Sequence, residues 1–259
     1  VEHPSSERLK PKVRQPHEQV GPPGRMVVER ADGQELESGV ITAVESFILG
    51  CKSDGIWSAL KASCILAGAR TLSGALVPLV GTAPTNANFV SGDYNRETGL
   101  LGNGSTKYLN ANRNANSDPQ DSFHHSVYVA VAPSITVNRG FLGHSSSPHS
   151  FLDSATTSAL SSRCRSSSTK SVGGQATTLG LKAQSRSNSA SYTIRSGGTN
   201  FAQSQASTTP PSSASEIFRR GAGNTDARLS FFSIGESLDL AALDTRVSSL
   251  MTALAAAIP

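Results

Sequence analysis

Hydrophobic spacing changes character along the chain. Residues 1–30 carry almost no apolar residue before Val27, and Pro4, Pro11, Pro16, Pro22 and Pro23 are scattered among charges. Proline fixes φ and donates no backbone hydrogen bond, so this stretch is expected to be an extended arm ordered by a partner surface. Val40, Val44, Phe47, Ile48 and Cys51 then recur at i, i+4, i+7, i+8 and i+11, the stripe of an amphipathic helix. Ser53-Asp54-Gly55 breaks it. Ile56, Trp57, Leu60 and Cys64 predict a second short helix ending near Gly68, with Trp57 as a core anchor.

From Leu76 to about Gly235 the period shortens to two. Phe123–Val131 is the clearest strand: Phe123, His125, Val127, Val129 and Val131 alternate with His124, Ser126, Tyr128 and Ala130, and Pro133 closes it. Shorter strands are predicted around residues 140–144, 158–163, 176–183, 191–194, 216–220 and 229–234. Turn clusters such as Gly173-Gly174, Gly197-Gly198 and Thr209-Pro210-Pro211 separate them, a spacing that predicts a β-sandwich. Leu240, Leu243, Val247, Leu250 and Leu254 return to intervals of three and four. They predict a C-terminal helix capped by Ser237 or Asp239 and packed on its own domain.

Composition sharpens this picture. The 259 residues include 41 serines and 19 threonines, while only 16% are charged. That excludes a coiled coil and a highly charged disordered tail. No stretch approaches the roughly 18 consecutive apolar residues of a membrane span, so no membrane insertion is expected. Val1-Glu2-His3-Pro4 offers no signal-peptide core. Cys51, Cys64 and Cys164 match neither a disulfide framework nor a zinc site, and three reduced thiols are expected. The net charge of +4 is unevenly placed: residues 139–195 hold seven Lys/Arg against one acid, Asp153. Arg163, Arg165 and Lys170 in that stretch read as a solvated surface or as an interface with an acidic neighbour. No aromatic platform is interleaved with them, so nucleic acid is not an expected partner.

Candidate chemistry is sparse. Gly102-Asn103-Gly104-Ser105-Thr106-Lys107 places Lys after Ser/Thr and leads into a strand, so it reads as a tight turn rather than a phosphate loop. Neither Gly-x-Ser-x-Gly nor His-Glu-x-x-His occurs. His124 and His125 are adjacent on a strand and face opposite sides, one expected in the core and one at the surface. His144 and His149 flank a Ser/Pro turn, and Asp118 and Asp121 are a close acid pair split by Pro119. Neither set satisfies a metal. The expectation is a protein that is not an enzyme, with no catalytic, cofactor-binding or metal-binding residue, no cofactor, and receptor-binding residues unassigned.

Asn95-Arg96-Glu97-Thr98-Gly99-Leu100-Leu101-Gly102-Asn103-Gly104-Ser105-Thr106-Lys107-Tyr108-Leu109 resembles the opening of a jelly-roll domain in tailed-bacteriophage virion proteins. Ile217–Arg220 and Ala227–Glu236 resemble its closing strands, Leu240–Leu254 its final helix, and Gly55–Ala62 the helix before it. The match runs from about residue 37 to 257 and departs at Ala67–Gly74 and in the prolyl arm. The family implied is the concanavalin-like (LamG-like) sandwich of tail fibres, tail-tip proteins and capsid-surface proteins. The resulting fold class is mainly β: a jelly-roll β-sandwich with an N-terminal extended arm, a short helical segment before the sandwich and a C-terminal helix. The segments are an anchoring arm over residues 1–36, a helical segment over 37–74 and the jelly roll with its helix over 75–259. The implied function is a structural virion protein, a tail-associated fibre or tail-tip protein with its sandwich outward toward host-surface glycan. Capsid decoration or a head fibre is the alternative. Partners would be other virion proteins through residues 1–36 and further copies in a homotrimer, localised in the virion.

Overall fold

The computed structural model describes residues 31–134, 138–144 and 150–259. The expected arm over residues 1–30 and His149 lie outside them. Helix α1 (Ser38–Ser53) forms on the expected stripe, burying Val40, Phe47 and Cys51, and ends at Asp54-Gly55, where Gly55 takes a φ of 72°. The second predicted helix is corrected. After one turn at Trp57–Ala59 the chain enters strand β1 (Leu60–Ile65). Leu60, Ala62 and Cys64 also read as every second residue of a strand, and the last strand of the sandwich offers them an edge from Phe231 to Gly235. Asp32 accepts hydrogen bonds from the backbone of Arg70 and Thr71 and from the Thr71 hydroxyl, which ties residue 32 to the short helix α2 (Leu72–Ala75).

Strands β2 (Thr85–Ala87), β3 (Tyr94–Asn95), β4 (Gly99–Leu101) and β5 (Tyr108–Asn114) follow. Then come β6 (Phe123–Val131), β7 (Arg139–His144), β8 (Ser150–Ser154), β9 (Leu160–Cys164) and β10 (Lys170–Val172). The last group is β11 (Gly180–Arg186), β12 (Ser191–Ser196), β13 (Thr199–Ser204), β14 (Ala214–Ile217), β15 (Arg219–Arg220), β16 (Gly223–Asn224) and β17 (Arg228–Gly235). They form two antiparallel sheets. The first runs β13-β12-β11-β6-β17-β4-β3, with β1 beside the later half of β17. The second runs β10-β9-β8-β7-β14-β5-β2.

The facing sheets share one apolar interior. Val127, Val129, Ile194, Phe232 and Ile234 come from the first sheet, and Leu109, Leu142, Leu152, Leu160 and Ile217 from the second. The outer face of the first sheet is not solvated. Its Leu181, Ala183 and Phe231 pack beneath α1 and the C-terminal helix α3 (Leu240–Ala257), which buries Leu240, Leu243, Val247, Leu250 and Leu254 as its spacing predicts. Asp239 caps α3 by accepting from the amides of Ala241 (2.8 Å) and Ala242 (3.3 Å). Asp239→Ala is expected to cost about 1 kcal/mol in chemical denaturation. Among the described residues no helix is long and apolar enough to cross a membrane. The helical layer covers one side of the sandwich, and among the described residues no helix covers the outer face of the second sheet.

Candidate functional site

The basic stretch does not behave as a solvated surface. Arg165, Lys182 and Arg186 are fully buried. Lys182, Gln184 and Arg186 are the inward row of β11, in register with Val127, His125 and Phe123 of β6. Lys182 and Arg186 donate to oxygen acceptors, while the Gln184 side-chain nitrogen is buried without a hydrogen-bond partner. Lys182 donates to the Gln175 carbonyl and the Thr178 and Ser196 hydroxyls, and Gln184 accepts from Ser162 at 2.5 Å. Arg186 donates to the carbonyls of Cys164, Asn188, Ser191 and Gln205. Burial pushes the Lys182 amine down to about 7. These groups pin loops to the sandwich ends and face no solvent.

Both adjacent histidines are buried, which corrects the expected split between core and surface. His124 faces the helical side, bonded to the Glu236 carbonyl (2.6 Å) and the Ser233 hydroxyl (2.9 Å). His125 faces the interior, its ring 5.4 Å from that of His144, and neither of its nitrogens has a hydrogen-bond partner. Burial holds the His124 pKa down at about 4 and that of His125 well below the usual imidazole value, with the charges of His144, His124 and Arg165 adding at the latter. The expected turn at Gly102–Lys107 is present: the Asn103 side chain accepts from the amides of Ser105, Thr106 and Lys107. Asp118 is held by Arg113. Among the described residues no group of three or more His, Cys, Asp or Glu is placed to hold a metal ion.

The exposed chemistry lies on the outer face of the second sheet. There β7 presents glycines where its neighbours present side chains. Gly143 sits between Phe151 of β8 and Glu216 of β14, and Gly140 is opposite Asp153. Phe218 turns the chain through a φ of 68° while its ring stays in the core 4.8 Å from Phe89, and residues 219–224 then fold across the glycines. A Cβ on Gly140 would meet the Arg220 backbone nitrogen at 2.3 Å, and one on Gly143 would meet the Arg220 Cβ at 3.0 Å. Only glycine lets Arg219 and Arg220 lie this close to the sheet.

The result is one arrangement made twice. The Arg220 guanidinium lies 3.9 Å over the Phe151 ring and donates to Asp153 Oδ2 at 2.6 Å. Arg219 lies 4.6 Å over the Tyr108 ring and 3.6 Å from Glu216 Oε2. Arg163 joins from β9, its guanidinium 5.7 Å over the same Phe151 ring and its Nε donating to Thr169 at 3.0 Å. The carboxylates are buried, 3% exposed at Asp153 and 4% at Glu216, whereas the arginine side chains keep 31% at Arg220 and 29% at Arg219. Burial raises both carboxyl pKa values, opposed by Arg220 at Asp153 and by Arg219 at Glu216. Arg163 is lowered, first by burial and then by the like charge of Arg220. Asp153 Oδ1 and Glu216 Oε2 have no hydrogen-bond partner in the fold. This strip can present guanidinium forks to an anion, and burial makes its carboxyls hold a proton more readily than ordinary ones. Sequence reading assigned none of these residues to a site, and it placed Arg163 and Asp153 only within a charge-biased stretch.

The groove of about 570 Å³ between α1 and α3 offers less chemistry. Small side chains such as Ser38, Gly39, Ala253 and Ala257 line it, and its one cation, Arg246, is paired with Asp54.

The architecture defines a β-sandwich domain of the jelly-roll kind carrying a helical layer on one face. Solved structures of similar shape include a mutant of Trypanosoma rangeli sialidase displaying trans-sialidase activity. It matches at a TM-score of 0.51 and 11% identity over 83% of this chain and 39% of that one. The botulinum neurotoxin serotype D binding domain matches at 0.50 and 12% identity, over 74% of this chain and 51% of that one. The chain thus spans well under two thirds of either protein, and at these identities the likeness establishes the fold alone. No family model matches, and no curated protein matches in sequence. The likeness corrects the expectation of a non-enzyme: chains of this fold include sialidases, so the lack of a familiar catalytic motif does not remove catalysis from consideration.

Proposed function

We propose that this chain is a saccharide-binding β-sandwich module of a tailed-phage virion protein, displayed with the outer face of its second sheet toward the host surface. One observation carries the binding role: three guanidiniums and two buried carboxylates are gathered on a glycine-floored strip of the sheet face that the helices leave open. Structural cores do not need such a gathering, because Asp153 and Glu216 are each raised by the burial that holds them there. The virion placement is supported by the resemblance of residues 95–109, 217–220 and 227–236. It includes a tail-associated position, docking through residues 1–36 and assembly as a homotrimer.

A glycan array with the full chain tests the binding role. Wild type is expected to retain a subset of saccharides and Arg220→Ala to lose roughly tenfold or more in affinity for them, the scale of one charge-assisted contact. Equal retention by both proteins would overturn it. The retained saccharides are followed for cleavage in the same assay, since sialidases share the fold. An electron-microscopy map of the particle tests the placement: density at the tail supports it, and density on the shell lattice replaces it with capsid decoration.

A further inference from the structure

We infer that the strip takes an acidic oligosaccharide by exchange: a carboxylate or sulfate of the ligand replaces Asp153 at Arg220, and the released Asp153 carboxyl takes up a proton from solvent. This rests on the saccharide-binding reading and adds the ligand class and its coupling to pH.

Three features select an acid over a neutral sugar. The rings of Phe151 and Tyr108 are already covered by guanidiniums at 3.9 and 4.6 Å, so neither ring is a bare platform for stacking a pyranose. Arg163 and Arg220 bring two positive charges over one ring, and an anion set between them relieves their repulsion. Asp153 holds Arg220 through the single contact to Oδ2, so the resident pair uses less of the guanidinium fork than a bidentate ligand would.

Charge balance then fixes the rest. An anion arriving at Arg220 leaves Asp153 buried without its counter-charge, and burial favours the neutral acid. Proton uptake at the released carboxyl is thus coupled to the exchange, so binding strengthens as pH falls. Arg219, Tyr108 and Glu216 form a second such group, with Glu216 two strands from Asp153 and Tyr108 three strands from Phe151, about 10 and 14 Å at the usual strand spacing. Two units at that separation suit an oligosaccharide with repeated acidic groups.

Isothermal titration calorimetry of the full chain with a hyaluronan hexasaccharide, a heparin tetrasaccharide and neutral maltohexaose tests this. Each is measured at pH 5.5 and 7.5 in two buffers of different ionisation enthalpy. The acidic probes are expected to bind roughly tenfold or more tightly than maltohexaose, more tightly at pH 5.5 than at 7.5, and with net proton uptake. Asp153→Asn is expected to abolish most of that uptake and flatten the pH dependence. Arg220→Ala should lose the acidic probes, and Lys52→Ala, a charge-matched control, should keep them. Should Asp153→Asn fail to fold, the two-buffer comparison on wild type decides alone. Acidic binding without proton uptake, or untouched by Arg220→Ala, overturns the exchange. Maltohexaose bound as tightly as the acids overturns the acidic assignment and leaves the saccharide reading standing. Failure of every probe and of the glycan array removes both.

Discussion

Arg186→Met is expected to lower the unfolding free energy by about 4 kcal/mol, close to the upper range for breaking a buried charged contact. Arg186 is fully buried and bonds four carbonyls: Cys164 at 2.7 Å, Gln205 at 2.9 Å, Asn188 at 3.0 Å and Ser191 at 3.1 Å. Those carbonyls belong to β9, to the turn before β12, to β12 itself and to the segment after β13, so one side chain fastens four pieces of the sandwich end. Methionine fills the volume and supplies no donor, and each orphaned buried acceptor costs about 1–3 kcal/mol before the loops relax. Arg186→Lys is expected to recover less than half, because an ammonium cannot reproduce the planar fork. Guanidinium denaturation with an unchanged slope and a lowered midpoint is the check; a midpoint within error of wild type would show that water replaces the lost donors.

Acidification should be nearly as damaging. His124 and His125 stay neutral in the fold below the pH at which a free imidazole, at 6.5, takes its proton. Between pH 6.5 and 5 the unfolded chain therefore binds more protons than the folded one, and stability falls with pH. Each histidine contributes about 1.4 kcal/mol per pH unit, about 4 kcal/mol for the pair by pH 5. That is a large share of an ordinary domain's stability. The loss saturates for His124 as pH passes its folded value near 4. His125→Leu is expected to halve the slope at little cost at pH 7, because no hydrogen bond of His125 is lost. His124→Leu also halves it but is expected to cost stability at every pH, since the Glu236 carbonyl and Ser233 hydroxyl lose their partner. Urea midpoints measured from pH 7.5 to 5 separate these cases, and a flat profile would contradict the neutral, buried assignment.

Sequence pattern reached the sandwich and the first and last helices, whose faces contrast in polarity, and the bounds of β6 through its alternation and Pro133, but not the burial of both its histidines. It failed where both faces are buried. β11 lies between the shared interior and the helical layer, so Leu181 and Ala183 point under the helices while Lys182, Gln184 and Arg186 point inward. A rule that sends charge outward inverts such a strand. β1 failed for a related reason: Leu60, Ala62 and Cys64 fit a helix or a strand by local spacing, and the choice is made by the edge of β17 more than 160 residues away. Part of the hydroxyl content is interior: Ser126, Ser162, Ser196, Ser215 and Ser233 are buried, several bonded to one another or to His124.

The candidate strip was the least legible part. Its acids and arginines are spread over β8, β9, β14 and β15, and only the fold sets Phe151 beside Gly143 and Glu216. Asp153 and Arg163 were visible as members of a charge-biased stretch, but Arg219-Arg220 read as part of a closing strand. The signal that could have found the site is Gly140 and Gly143 within β7, a strand otherwise built from larger residues. Glycine in a strand interior marks close approach by another backbone, and here the backbone is that of the two arginines.

The central claim is that the guanidiniums over Phe151 and Tyr108 meet an acidic ligand on the outer face of the second sheet. Arginine Nε–Hε correlation spectra recorded while a hyaluronan hexasaccharide is added to the full chain report on each guanidinium separately. Saturable shifts at Arg163, Arg219 and Arg220, with the buried Arg165 and Arg186 unmoved, are the result expected here. Unchanged signals from those three while binding proceeds, or shifts confined to the helical side at Arg246, would contradict it.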